Sequence, residues 1–321
     1  MNNQEITIIK RELVWFLIPT FVITYGLAAF AYSKGGLEHF PVMVIMMYVP
    51  ALVVILNYLL NFKRSVLKNN DLGLRFVGMK YWLIAPLLLL AIITSTYIIP
   101  FLFTTDFFKD SQEILFATEK TGLGVGHWFL NLLIIFGINT FIAPILNILM
   151  LLGEELAWRG FLFPRLLTLF GAKRSFIIGG TIWALWHAGA IMLGWNYPDH
   201  PLFGNILMIL FCIPMGLIFQ YLYFKSKSIF VPALAHGAMN WTAGNFIMFV
   251  LADPDYNKLI YGPTGIIGII IFWIIAITLF RKMDWEKENT FSPNVNTAQS
   301  MPIYTLDKVV HNEKSEARYS Q

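Results

Sequence analysis

The sequence predicts an all-α, polytopic membrane protein with about eight transmembrane helices and both termini cytoplasmic. Three observations carry this. The 321 residues are 57% hydrophobic and only 13% charged, against about 25% charged in a soluble domain. Eight apolar runs come within range of the roughly 20 residues that a hydrocarbon core of about 30 Å asks of a helix. The basic residues between those runs alternate, crowding every second connection.

Taken in order, the first run, Val14 to Tyr32, follows Lys10 and Arg11. Ala29-Phe30-Ala31 has the spacing of a signal-peptidase site, but the stretch exceeds the roughly 7–15 apolar residues of a signal segment, so a retained span is expected. The second run, Pro41 to Leu60, returns to Lys63, Arg64, Lys68, Arg75 and Lys80. The third, Tyr81 to Phe103, leads into the acidic segment Thr104 to Gly126. The fourth, Trp128 to Leu152, descends to Arg159, Arg165, Lys173 and Arg174. The fifth and sixth, Phe176 to Gly194 and Leu202 to Phe224, come back to Lys225 and Lys227. The seventh and eighth, Ile229 to Leu251 and Thr264 to Phe280, end at Arg281. All but Lys34, Lys109, Lys120 and Lys258 of the 23 Lys and Arg residues thus share one face, which the positive-inside rule makes cytoplasmic.

The formal charge of +4 therefore reads as membrane orientation, and nothing resembles a nucleic-acid footprint. One transmembrane domain over 1–283 is expected, followed by a polar, disordered cytoplasmic tail over 284–321. The lone Cys212 excludes an intramolecular disulfide. The expected location is an integral, multi-pass position in the plasma membrane.

Ionisable groups inside a span cost about 2.5–3.5 kcal/mol each, so they are few and usually functional. Here they cluster on three helices: Glu154, Glu155 and Arg159 end the fourth run, His187 lies in the fifth and His236 in the seventh. Glu155 and Arg159 are four apart and share a helix face, so Arg159 can neutralise Glu155 and leave Glu154, about 100° away, free to face elsewhere. His236 and Asn240 form a second such pair. Thr140, Asn147 and Glu154 recur every seven residues as a polar stripe, for which interhelical hydrogen bonding is the plainer account. Trp158, Trp183, Trp186 and Trp241 read as packing or interfacial residues. Helical rise puts Glu154 and His236 within about 10 Å of the cytoplasmic helix ends, but His187 about 20 Å from Arg174. The site is expected in the cytoplasmic half, with His187 the misfit.

These motifs resemble those of the CaaX prenyl endopeptidase and bacteriocin-processing (CPBP, Abi) family of intramembrane proteases. Its Glu-Glu-x-x-x-Arg pattern is met by Glu154, Glu155 and Arg159. Its aromatic-x-x-x-His pattern is met by Trp183 and His187, with Trp where Phe is usual, and its His-x-x-x-Asn/Asp pattern by His236 and Asn240. The resemblance covers about residues 149–242. It implies a cavity open to the cytoplasmic leaflet and cleavage of a membrane-anchored peptide or protein. It further implies Glu154 as general base, His187 helping to hold the water, His236 with Asn240 polarising the scissile carbonyl, and Glu155 with Arg159 in support. Glu154, His187 and His236 are also three candidate ligands for a divalent metal such as zinc, and a metal-free glutamate mechanism uses the same side chains. The rival reading is a non-catalytic immunity or scaffold protein of the same fold. A secondary transporter is disfavoured by the lack of paired, interrupted helices in two halves.

Overall fold

The computed structural model describes residues 2–36, 40–61, 72–101, 128–250, 257 and 259–291. The acidic segment Thr104 to Gly126 and most of the expected tail lie outside these residues. Regular structure among the described residues is entirely helical, as hydrocarbon requires of any open segment that must satisfy its own peptide groups. The elements are α1 (Asn3–Ser33), α2 (Phe40–Leu56), α3 (Met79–Phe101), α4 (Trp128–Gly137), α5 (Ala143–Leu146), α6 (Ile148–Glu155), α7 (Phe163–Met192), α8 (Pro201–Ser226), α9 (Phe230–Val250), α10 (Ile266–Arg281) and α11 (Trp285–Glu288). π-helical turns follow α2 (Asn57–Asn61), α4 (Ile138–Ile142) and α6 (Leu156–Leu162).

Five stretches are long and apolar enough to cross a bilayer: Asn3–Ser33, Pro41–Leu60, Met79–Tyr97, Ile148–Met192 and Pro201–Ser226. Leu133–Leu146 and Ile266–Arg281 are shorter apolar helices. The chain is an integral, multi-pass membrane protein. Its fourth and fifth expected spans are joined without a loop, because the backbone turns only at Gly171, whose φ of 71° and ψ of 170° suit glycine alone. The polar stripe is also interrupted: Asn147 sits between α5 and α6 and donates to the Ala143 carbonyl, while Thr140 pairs with Thr242 of α9 at 3.0 Å.

Contacts define two ends of the bundle. At one, Arg165 Nε donates to Glu12 Oε2 at 2.7 Å and Nη2 reaches the Tyr58 hydroxyl at 3.3 Å, all three residues being buried. Ser228 Oγ donates to the Arg75 carbonyl, and Lys227 pairs with Glu288 at this same end. At the other, Trp186 Nε1 donates to Thr24 Oγ1 of α1, and the Tyr197 hydroxyl, in the turn after α7, donates to the Thr264 carbonyl before α10. Among the described residues, the basic connections at Arg75, Arg165, Lys225 and Lys227 lie at the first end.

One boundary differs from expectation. The polar tail was expected from residue 284, yet 284–291 are docked. Asp284 caps α11, and Trp285 is 2% exposed among Phe163, Phe176, Phe224 and Phe280. Glu286 accepts from the Ala172 amide and Asn289 donates to the Pro164 carbonyl. Two aromatic anchors, Trp285 and Phe291, outweigh the polar composition around them; the ring of Phe291 lies against the Arg165 guanidinium at 4.3 Å.

A buried pair broken on one side leaves a desolvated charge. Glu12→Leu should therefore lower unfolding stability in lipid by about 3–5 kcal/mol, and Glu12→Leu with Arg165→Met should recover most of it. Thermal unfolding of both variants checks this; equal losses in the single and double variants would contradict it.

Candidate active site

Two glycines let two of the three motif helices, α6 and α9, pack closely. A Cβ on Gly153 would strike the Met47 carbonyl oxygen, so α6 lies backbone to backbone on α2. One on Gly237 would come within 2.6 Å of both Leu151 and Pro144, so α9 closes on α5 and α6. Small residues permit such approach where helices associate by contact rather than by apolar desolvation. Because successive residues diverge by about 100° around a helix, Glu154 and Glu155 then face different neighbours.

Glu154 looks into a cavity of about 470 Å³, whose wall also carries His187, His236 and Asn240. Glu154 is 2% exposed, and its Oε2 accepts from the indole Nε1–H of Trp183 at 2.9 Å. Glu155 lies behind this wall and is fully buried. Its Oε1 accepts from His236 Nδ1 at 2.7 Å, and its Oε2 lies 3.2 Å from Arg159 Nε. The Arg159 approach is an ion pair by proximity, its direction being poor for a hydrogen bond. The π turn Leu156–Leu162 carries Arg159; insertions of this kind recur at functional sites.

Trp183 is the hub of the site. Besides holding Glu154, it carries the Arg159 guanidinium 3.9 Å above its ring and lies 5.6 and 5.7 Å, between centroids, from the His187 and His236 rings. Trp183, expected to be a packing or interfacial residue, is buried and in addition holds Glu154, and the depth misfit of His187 has a structural answer. Trp183 sits one turn nearer the basic end than His187 and reaches the shallower pair, Glu154 and His236. The i, i+4 relation of Trp183 to His187 was the available signal, since it puts both on one face.

Both imidazoles have their tautomers constrained. His187 Nδ1 meets the Trp183 carbonyl at 2.9 Å and His236 Nδ1 meets a carboxylate. Each partner only accepts, so each Nδ1 donates and Nε2 is the nitrogen left for a ligand. Asn240, one turn beyond His236, is exposed on the cavity wall. Seven methionines line the rest, among them Met46, Met150 and Met215, giving a soft apolar surface. Behind the wall, Arg159 Nη1 and Nη2, both amide atoms of Gln220 and Trp158 Nε1 have no hydrogen-bond partner among the described residues. All three residues line a second cavity of about 20 Å³, room for about one water. Gln220, inside an otherwise apolar run, was not singled out by the sequence.

No three His, Cys, Asp or Glu side chains among the described residues are gathered closely enough to hold a metal ion. Glu154, His187 and His236 share a cavity and offer the right donor atoms, but their spacing as placed is not that of a ligand set.

Residues 127–242 match the family described as type II CAAX prenyl endopeptidase Rce1-like. A curated relative, CAAX prenyl protease 2 of Methanococcus maripaludis, is 28% identical over 159 residues, which cover 47% of this chain and 55% of that relative. The chain thus spans about half the length of the curated relative it matches. The matched region contains all six motif residues and begins at the fourth helix, earlier than the motifs alone suggested.

The two glutamates should fail differently. Glu155→Gln leaves Arg159 buried without its counter-charge and should cost about 3–5 kcal/mol. Glu154→Gln keeps an acceptor for Trp183 and should cost less than about 1 kcal/mol. Unfolding midpoints in the same lipid would contradict this if the order were reversed.

Proposed function

We propose that this chain, whose residues 127–242 match the Rce1-like family of type II CAAX prenyl endopeptidases, is an intramembrane endopeptidase. It hydrolyses a peptide bond near a membrane anchor with water activated by Glu154. The observation that carries the proposal is a buried carboxylate, two imidazole nitrogens and a carboxamide on the wall of one cavity, with one imidazole backed by a second carboxylate. A protein that only bound its partner would not require this arrangement. The orientation proposed with it has eight crossings and both termini cytoplasmic, in the plasma membrane.

The steps follow from the geometry. Trp183 holds Glu154 Oε2, which leaves Oε1 to take a proton from water. Neutral His187, its Nδ1 donating to the Trp183 carbonyl, offers the Nε2 lone pair to the second water hydrogen and so orients the oxygen. As that oxygen bonds to the scissile carbon, charge grows on the carbonyl oxygen. In its protonated form His236 donates from Nε2 as well as from Nδ1; that Nε2–H and the Asn240 amide are the donors available to the carbonyl oxygen, and preorganised donors of this kind are usually the largest single contribution. Glu155 orients His236 and offsets its charge, while Arg159 offsets Glu155. Glu154 then passes its proton to the amide nitrogen, the C–N bond breaks, and a carboxylic acid and an amine leave. Should a zinc ion be recruited to Glu154, His187 and His236, it would supply carbonyl polarisation and a more acidic water.

Glu154→Gln should reduce turnover of an anchored peptide by about 100- to 10,000-fold, with peptide binding retained. Product analysis by mass spectrometry reads this, and undiminished cleavage would end the mechanism. Trp183→Phe keeps the ring and removes the donor. A hydrogen bond to a charged group contributes about 1.5–3 kcal/mol, so a fall of roughly 10- to 100-fold in turnover is expected with little change in KM. Loss of activity with a chelator and its return with zinc would assign Glu154, His187 and His236 to metal ligation.

A further inference from the structure

The cavity does not run towards the basic end of the bundle. His236 is six residues past the start of α9, about 9 Å along the helix from the Lys227 turn, and the α9 residues lining the cavity continue from there through Asn240 and Trp241 to Gly244, away from that turn. Met43 and Met46 line it from the start of α2, the end remote from Tyr58. Its far limits are the turn after α7, at Trp195 and Asn196, and Pro263 and Thr264 before α10, which Tyr197 ties together. All of these lie at the end opposite Glu12, Arg165 and Lys227. Lys34 is the one Lys or Arg among the described residues at that opposite end.

Joined to the charge asymmetry of the sequence, the geometry points to a substrate that reaches Glu154 from the non-cytoplasmic side. The same asymmetry that orients the helices puts this far part of the cavity on the side away from the basic loops. The peptide is then a translocated segment, with its apolar anchor in the outer leaflet beside the methionine-lined wall. This is the reverse of the cytoplasmic opening that the motifs implied. It deepens the proposed endopeptidase reading and rests on it for the identity of the ligand as a substrate, but not for the side of entry.

The test separates the two. In a Cys212→Ala background, Gly244→Cys places a thiol on the cavity wall where an added Cβ meets no atom within 4 Å. Lys173→Cys places one on the exposed basic face. Right-side-out and inside-out membrane vesicles are treated with a membrane-impermeant maleimide. The expected result is at least tenfold faster labelling of Gly244→Cys in right-side-out vesicles, and of Lys173→Cys in inside-out vesicles. Labelling of both from the same side, or of Gly244→Cys from neither, would overturn the inference, as would the reversed pattern. Cleavage of an anchored peptide by the unmodified protein in detergent, where both faces are open, is measured in parallel. Its absence would remove the protease reading and leave the side of entry standing.

Discussion

The Glu155 carboxylate is the constraint on which the arrangement depends. A charge in the middle of an apolar bundle persists only if its neighbours compensate it, and Glu155, with no exposed surface, has two that can: Arg159 on its own turn and His236 on α9. That double demand fixes α9 against α6, which the absent side chain of Gly237 permits sterically. With Glu155 so engaged, Glu154 is turned to the opposite wall, where the Trp183 indole meets it. Two adjacent carboxylates thereby acquire different work. One organises cations; the other faces the space where a ligand can sit.

Aromatic rings supply what few polar groups could supply in such a place. Arg159 lies over Trp183 and within 5.0 Å of the centroid of Phe219, so its guanidinium gains cation–π contact in a site that offers few acceptors. Arg165 does the same on Phe161 at 3.6 Å while holding Glu12. The two arginines thus solve one problem at two levels. Arg165 clamps α1 to α7 at the basic end, and Arg159 supports the imidazole of α9 in mid-bundle. The Met-lined space beyond Glu154 is apolar enough to strengthen any interaction made at its base.

Much of this was legible in the sequence, for definable reasons. Hydropathy and loop charge reveal helices because hydrocarbon leaves the backbone little alternative, and the i, i+4 relations of Glu155 with Arg159 and of His236 with Asn240 are local geometry. The rotation of one helix about another is not local. Nothing in the spacing shows that His236 turns an imidazole nitrogen back onto Glu155, or that a π turn carries Arg159. Trp183 packs, as a tryptophan in an apolar run usually does, but its donor role to Glu154 exists only once α7 lies beside α6. The fusion of the fourth and fifth spans turns on Gly171 alone, and the docking of 284–291 on Trp285. Both are single residues that a composition window averages away.

If Glu155 couples the two motif helices through His236, a double-mutant cycle on unfolding free energy in lipid is the most direct measurement. Glu155→Gln, His236→Gln and the double variant are compared with the unmodified protein. The structure predicts that the double variant is less destabilised than the sum of the single ones, with a coupling of at least about 1 kcal/mol, as for residues in one buried network. Additivity within about 0.5 kcal/mol, the behaviour of distant, independent sites, would contradict it.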